Sequence, residues 1–198
     1  MRHILIGILM CLLMAGSVYA GEGADMKDTF SVIHARKSVR TFTGAPVGKS
    51  DLERILKAGM AAPTAVNMQP WSFVVVTERK MLNDLSSGLP YAKMLTKAGA
   101  AIIVCTETDQ AYDKIKEFAI IDASLAGENI LLAVEALGLG GVWTAAYPYD
   151  DRMSHVRKTL GIPQSVIPLN VIAVGIPAAG GEKPKDKYKK EKIHWDRW

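Results

Sequence analysis

Apolar and polar positions along the chain set out a mixed series of helices and strands. Residues 28–35 read as a short helix. Ser50-Asp51-Leu52-Glu53 has the spacing of a capping box, in which serine and glutamate satisfy each other's free backbone donors, and it opens a helix to about Ala61. The β-branched and aromatic run 72–77 and the apolar run 100–106 read as strands, with helical stretches at 79–85 and 91–98 between them. The longest helical segment, 114–137, is apolar on nearly every side through Phe118, Ile121, Leu125, Ile130, Leu132 and Val134. A helix apolar all round has to be buried all round. In a chain this small a second subunit covering one face achieves that most simply, which predicts a homodimer built around this helix; a central core helix of a monomer is the alternative. Asp122 and Asn129, two turns apart on one side, then need buried partners.

The run Gly138-Leu139-Gly140-Gly141 ends that helix with residues that tolerate positive φ. A short strand or extended turn follows at 142–145, then a helix at 150–160 and a strong strand at 166–175. The last segment is a lysine-rich arm ending in His194, Trp195 and Trp198, an apolar tip suited to docking on a partner subunit.

The first twenty residues have a different character. Basic Arg2 precedes an uncharged apolar stretch at residues 4–15, and Val18 and Ala20 are placed as in an A-x-A cleavage site. This is the layout of a secretory signal peptide, shorter than a membrane span needs, with cleavage expected after Ala20 and export to the periplasm; an uncleaved membrane anchor is the alternative. Residues 21–198 then form one domain.

The composition, 49% hydrophobic and 22% charged, is that of an ordinary globular protein and excludes disordered, collagen-like and coiled-coil classes. The net charge of +4 includes Arg2, and much of the remaining surplus lies within residues 183–192, so it argues for a local anion site rather than nucleic-acid binding. Of the two cysteines, Cys11 falls in the leader. Cys105 sits in an apolar run and reads as a core residue. No Ser-His-Asp set or metal-ligand spacing is apparent, and His34, His155 and His194 read as packing or surface residues.

Four constellations could carry chemistry. In Arg36-Lys37-Ser38-Val39-Arg40, extended backbone points Arg36, Ser38 and Arg40 one way and Val39 inward, and guanidinium and hydroxyl donors suit a phosphate. The stretch from Ala61 to Trp71 holds two prolines and presents Thr64, Asn67 and Gln69 from a rigid loop, where amides suit a ligand with alternating donors and acceptors. Backbone around Trp143, Thr144 and Ala145 could line a pocket beside a flat ring, and Lys183, Lys185 and Lys187 punctuate the terminal arm. Taken singly, each is also compatible with a solvated face, a turn or a helix cap.

Their order and spacing, however, resemble the FMN-dependent nitroreductase family over residues 30–198. The resemblance is carried by IHARKSVRTFTGAPV, AAPTAVNMQPWSFVVV, DASLAGENILLAVEALGLGGVW, VIPLNVIAVGIP and KPKDKYKKEKIHWDRW. It implies an α+β fold with a central, mainly antiparallel sheet flanked by helices. It also implies a homodimer about the long helix, with the C-terminal arm reaching the partner.

The resemblance further implies FMN as cofactor. Arg36 would bind its phosphate, Ser38 the phosphate and ribityl region, and Arg40 the N1 and C2-carbonyl edge, with Lys37 in the same segment. Pro63, Thr64, Ala65, Asn67 and Gln69 match the loop that reaches the flavin from the other subunit. Trp143, Thr144 and Ala145 match the strand facing the ring, and Lys185 and Lys187 the pair closing over the phosphate. Thr64 stands where serine is common, and lysines replace an arginine on the arm, where a point charge lacks the bidentate fork.

The expected activity is reduction of nitroaromatics, quinones or similar electron-poor molecules by NADH or NADPH in ping-pong order, with FMN rather than a side chain carrying the chemistry. Alternatives are a specialised flavoenzyme of the same fold, such as a reductive dehalogenase or flavin-consuming enzyme, and an exported flavin carrier without nicotinamide turnover.

Overall fold

The computed structural model describes residues 28–198; the leader expected at residues 1–20 lies outside the described residues. Helix α1 (Thr29–Ala35) is capped by Asp28, whose carboxylate accepts from the amides of Phe30 and Ser31. There follow α2 (Lys49–Met60), β1 (Trp71–Val76), α3 (Arg79–Gly88), β2 (Ala100–Glu107), α4 (Lys116–Ala136), β3 (Gly140–Ala145), α5 (Asp150–Leu160) and β4 (Val166–Gly175).

The strands form one sheet in the order β1-β2-β4-β3, antiparallel throughout, which is the α+β arrangement expected. Trp71 of β1 sits opposite Thr106 of β2. The two central strands are apolar on both faces because both faces are covered. Ala101, Ile103 and Cys105 point into one core with Leu82 and Leu85 of α3 and Val156 of α5. Ala100, Ile102 and Val104 point into the other, with Leu52 and Ile55 of α2 and Ala123, Ile130 and Val134 of α4.

Burial makes Cys105 inert. Desolvation pushes its thiol up to about 12 from 9.0, so the fold favours the neutral form. That contribution is complete below about pH 9 and is lost as the pH rises towards 12, amounting to about 1.4 kcal/mol by pH 10. Denaturant unfolding of wild type and Cys105→Ala at pH 8 and pH 10 is expected to show the smaller loss in the variant. Equal losses would contradict a thiol held neutral by the core.

Two local expectations are corrected. The Ser50–Glu53 pair is not a capping box: α2 starts earlier, with Gly48 as a cap that makes no side-chain bond, and Glu53 instead meets Lys49 at 3.8 Å one turn away. The helix expected at 91–98 is only a single tight turn, Lys93–Thr96. There the Arg79 guanidinium takes the carbonyls of Leu95, Thr96 and Ala98 at 3.0, 2.9 and 2.6 Å, giving them partners outside a continued helix.

Candidate functional site

Helix α4 organises the site. At about 100° per residue, Asp122 and Asn129 share one side and Glu128 and Glu135 another, roughly 120° away. On the first side the buried Asp122 Oδ1 accepts the Ala65 amide at 3.2 Å, while its Oδ2 is buried without a hydrogen-bond partner among the described residues, and Asn129 Nδ2 donates to the Ala58 carbonyl of α2 at 3.0 Å. On the second, Arg36 Nε meets Glu128 Oε1 at 3.4 Å and Lys37 Nζ meets Glu135 Oε2 at 3.4 Å. Between the two sides runs an apolar stripe of Phe118, Ile121, Leu125 and Leu132, of which Ile121 is 53% and Leu125 41% exposed. The cationic segment and the amide loop of one protomer are thus fixed to different flanks of the same helix, with uncovered apolar surface between them.

The cationic segment is held against the sheet. Ser38 bridges Gly141 in parallel register, the Val39 amide donates to the Gly141 carbonyl at 2.9 Å, and Val39 enters the core as expected. Gly140 makes this approach possible, since a Cβ there would lie 2.7 Å from Val39 Cγ1. Ser38 therefore lies at the start of the strand that carries Trp143, Thr144 and Ala145. Arg40 is exposed, its guanidinium turned back to the Ser38 carbonyl at 3.4 Å and its amide donating to Glu182 Oε1 at 2.9 Å. That bond starts the terminal arm beside the cationic segment. Lys185 and Lys187 further along it are exposed, with no hydrogen bond or ion pair among the described residues.

The loop pays in backbone strain for the way it displays its side chains. Val66, Asn67 and Gln69 have φ of 41°, 61° and 54°, a left-handed region costing of order 1 kcal/mol for a non-glycine residue. Thr64 Oγ1 accepts the Gln69 amide at 3.2 Å, and Gln69 Nε2 donates to Asn67 Oδ1 at 2.9 Å, so the two amides are mutually oriented at the surface. Pro63 is exposed beside them, and Ala65 is fixed by Asp122.

On β3, Val142 faces the α3 and α5 core, so Trp143 faces α4, where it stays 43% exposed beside Gly127; Thr144 Oγ1 is occupied by the Val171 carbonyl at 2.7 Å. Opposite Ala145 stands Asn170, wholly buried, its amide without a hydrogen-bond partner among the described residues. Asn170 and the two glutamates on α4 were not singled out in the sequence. Their signal was present, as an amide inside an apolar strand and two acids seven residues apart on a mainly apolar helix.

The histidines play the packing and surface roles expected of them: His155 Nε2 lies 3.0 Å from the Asp84 carbonyl and His194 stacks on Trp198. Among the described residues no cluster of three or more His, Cys, Asp or Glu could hold a metal, and no helix is long and apolar enough to cross a membrane.

The chain matches the model of the Nitroreductase family over residues 33–88 and 78–176. A provisionally named NADH dehydrogenase/NAD(P)H nitroreductase of Methanothermobacter thermautotrophicus is 40% identical over 184 residues, 92% of this chain and 94% of that protein. The crystal structure of a protein with the same provisional name from Bacteroides thetaiotaomicron superimposes with a TM-score of 0.80 at 46% identity, over 86% of this chain and 98% of that one. An FMN-dependent nitroreductase from Clostridium difficile aligns with a TM-score of 0.77 at 25% identity, over 85% and 99% of the two chains. Similarity of this extent, over a sheet and helices that place the cationic segment, loop and strand as described, makes the chain a member of the nitroreductase family.

Proposed function

We propose that the protein is a homodimeric FMN oxidoreductase that uses NADH or NADPH to reduce nitroaromatics, quinones or similar electron-poor small molecules in ping-pong order. One observation carries this reading: the cationic segment and the strained amide loop are anchored on different flanks of α4, on either side of exposed Ile121 and Leu125. Pairing two α4 helices along that stripe buries it and sets the segment of one protomer beside the loop of the other. The uncovered rings of Trp195 and Trp198 give the arm an apolar tip for the partner as well.

The donor set fits FMN. Arg36 and Ser38 offer a charged fork and a hydroxyl to the phosphate, with Lys185 and Lys187 free to close over it. Arg40 would bring a positive charge to the bound flavin and favour its anionic form. The outward amides of Asn67 and Gln69 supply donors and acceptors, while Trp143 and the strand backbone to Ala145 form a flat wall. Bound FMN supplies the two-electron exchange between nicotinamide and acceptor. The chain's own work is to hold it, fix its charge and keep water out with the apolar stripe. A leader at residues 1–20 is part of this proposal, with residues 21–198 forming the exported domain.

The test is to purify the protein from a cell envelope fraction, establish whether its first residue is Gly21, and record its visible spectrum before and after NADH or NADPH. The expected result is a yellow dimer bleached by a nicotinamide and recoloured by a quinone. Yellow protein that neither nicotinamide bleaches favours the carrier alternative, and protein that stays colourless in excess FMN refutes the reading.

A further inference from the structure

Asn170 is fully buried, and among the described residues neither atom of its amide has a hydrogen-bond partner. An unpaired buried amide costs stability, so its presence in a strand otherwise apolar from Val166 to Val174 calls for a use. Its direction is set by a bulge. Val104 of β2 pairs with Asn170 and Cys105 with Pro168, which leaves Leu169 as the extra residue. A bulge re-aims side chains. Leu169 and Asn170, although consecutive, both lie on the α4 side of the sheet, Leu169 in the core there and Asn170 against Gly127.

Trp143 meets it at the same place. A Cβ on Gly127 would lie 3.4 Å from Asn170 Nδ2 and 4.0 Å from Trp143 Nε1, so the amide and the indole nitrogen border one small space that the glycine keeps open. On the sheet Asn170 stands opposite Ala145, two residues beyond Trp143. The indole N–H can only donate and makes no hydrogen bond among the described residues, while Asn170 Oδ1 is an acceptor without a donor. The two ends of an amide differ little in size, so a half-turn of the side chain brings Oδ1 to that space without crowding it. Trp143, 43% exposed, has the freedom to tilt towards it.

We infer that Asn170 is a positioning residue for the flavin: with the ring lying over Trp143, the indole settles onto Asn170, its N–H donating to Oδ1, and this bond fixes the plane of the wall. The inference rests on the flavoenzyme reading above, which puts Trp143 in that wall, and adds to it a residue that touches no ligand itself. Because the bond forms with the flavin, each stabilises the other.

A double-mutant cycle of Asn170→Val and Trp143→Phe is the test, with FMN affinity read by fluorescence titration of the apoprotein and unfolding midpoints read without flavin. Each single variant is expected to weaken FMN about tenfold, and the double variant also about tenfold rather than about a hundredfold, because either change removes the whole bond. Without flavin, Asn170→Val should unfold about 2–4 °C higher, since an apolar side chain replaces an unpaired amide, and the midpoint shifts of the two changes should add. Asn170→Ala, which cannot overpack the core, repeats the cycle if valine lowers the midpoint. Affinity losses that multiply to about a hundredfold overturn the inference. Midpoint shifts that fail to add in the apoprotein overturn it too, since the bond would then exist without flavin. Wild-type apoprotein that takes up no FMN refutes the parent reading, whereas FMN bound as tightly by Asn170→Val as by the wild type refutes this inference alone.

Discussion

Arg36→Ala is expected to yield a folded dimer that has lost its colour, with FMN affinity lower by about two orders of magnitude. A charge-assisted, bidentate bond to phosphate contributes roughly 1.5–3 kcal/mol, and about 1.4 kcal/mol is a factor of ten. Two effects then add. The fork is gone, and Glu128, which Arg36 now holds at 3.4 Å, is left as an unpaired carboxylate close to where the phosphate docks. Stability should change little, because the Arg36 side chain is 18% and that of Glu128 53% exposed, and such pairs contribute at most about 1 kcal/mol. Arg36→Lys keeps the charge without the fork and should recover only part of the affinity. Titration of apoprotein by quenching of FMN fluorescence measures both variants, and wild-type affinity in Arg36→Ala would remove this segment from the cofactor site.

Much of this architecture is legible in the chain because it rests on short-range signals. The bounds of α5 and β4 follow from charged residues before Gly161 and from a strand apolar but for Asn170, and β1 and β2 fall within a residue of where β-branched runs place them. The apolarity of α4 predicts burial all round; within the protomer one face is in the core and a stripe with Ile121 and Leu125 stays exposed.

What could not be read depends on tertiary contacts. The segment entering α2 packs closely on Gly99, where a Cβ would lie 2.5 Å from the Ala45 carbonyl, and the helix starts at Lys49 without a cap from the Ser50 side chain. The turn at Lys93–Thr96 depends on an arginine fourteen residues earlier. At the site, residue types in the cationic segment announced their chemistry. Nothing local announces a β-branched Val66 at φ 41°, which is held by the Asp122 bond to the next-door Ala65 amide. The fact that Arg36 and this loop lie on different flanks of one helix appears only once that helix is placed.

That placement makes Leu125→Asp the most disruptive single change expected, although Leu125 touches no cofactor position. Leu125 is 41% exposed in the protomer, so an aspartate there reaches water and costs the isolated fold a helix penalty of about 0.7 kcal/mol and about 1 kcal/mol of lost leucine burial. In a two-fold pairing along α4 each substitution occurs twice. Each copy forfeits interface burial of the 41% of Leu125 that the protomer leaves exposed, about 1 kcal/mol, and adds a carboxylate whose desolvation, without a cation opposite, costs several kcal/mol more. Over two copies this is comparable to the whole association free energy of a micromolar dimer, about 8 kcal/mol. Sedimentation should therefore find a monomer whose helical content and unfolding midpoint remain near those of the wild type. It should also be colourless, because Arg36 of one chain would no longer meet the Asn67 and Gln69 loop of another. A Leu125→Asp protein that stays dimeric removes the interface from this stripe. A yellow monomer refutes the shared site, since one protomer would then hold the flavin with its own segment and its own loop.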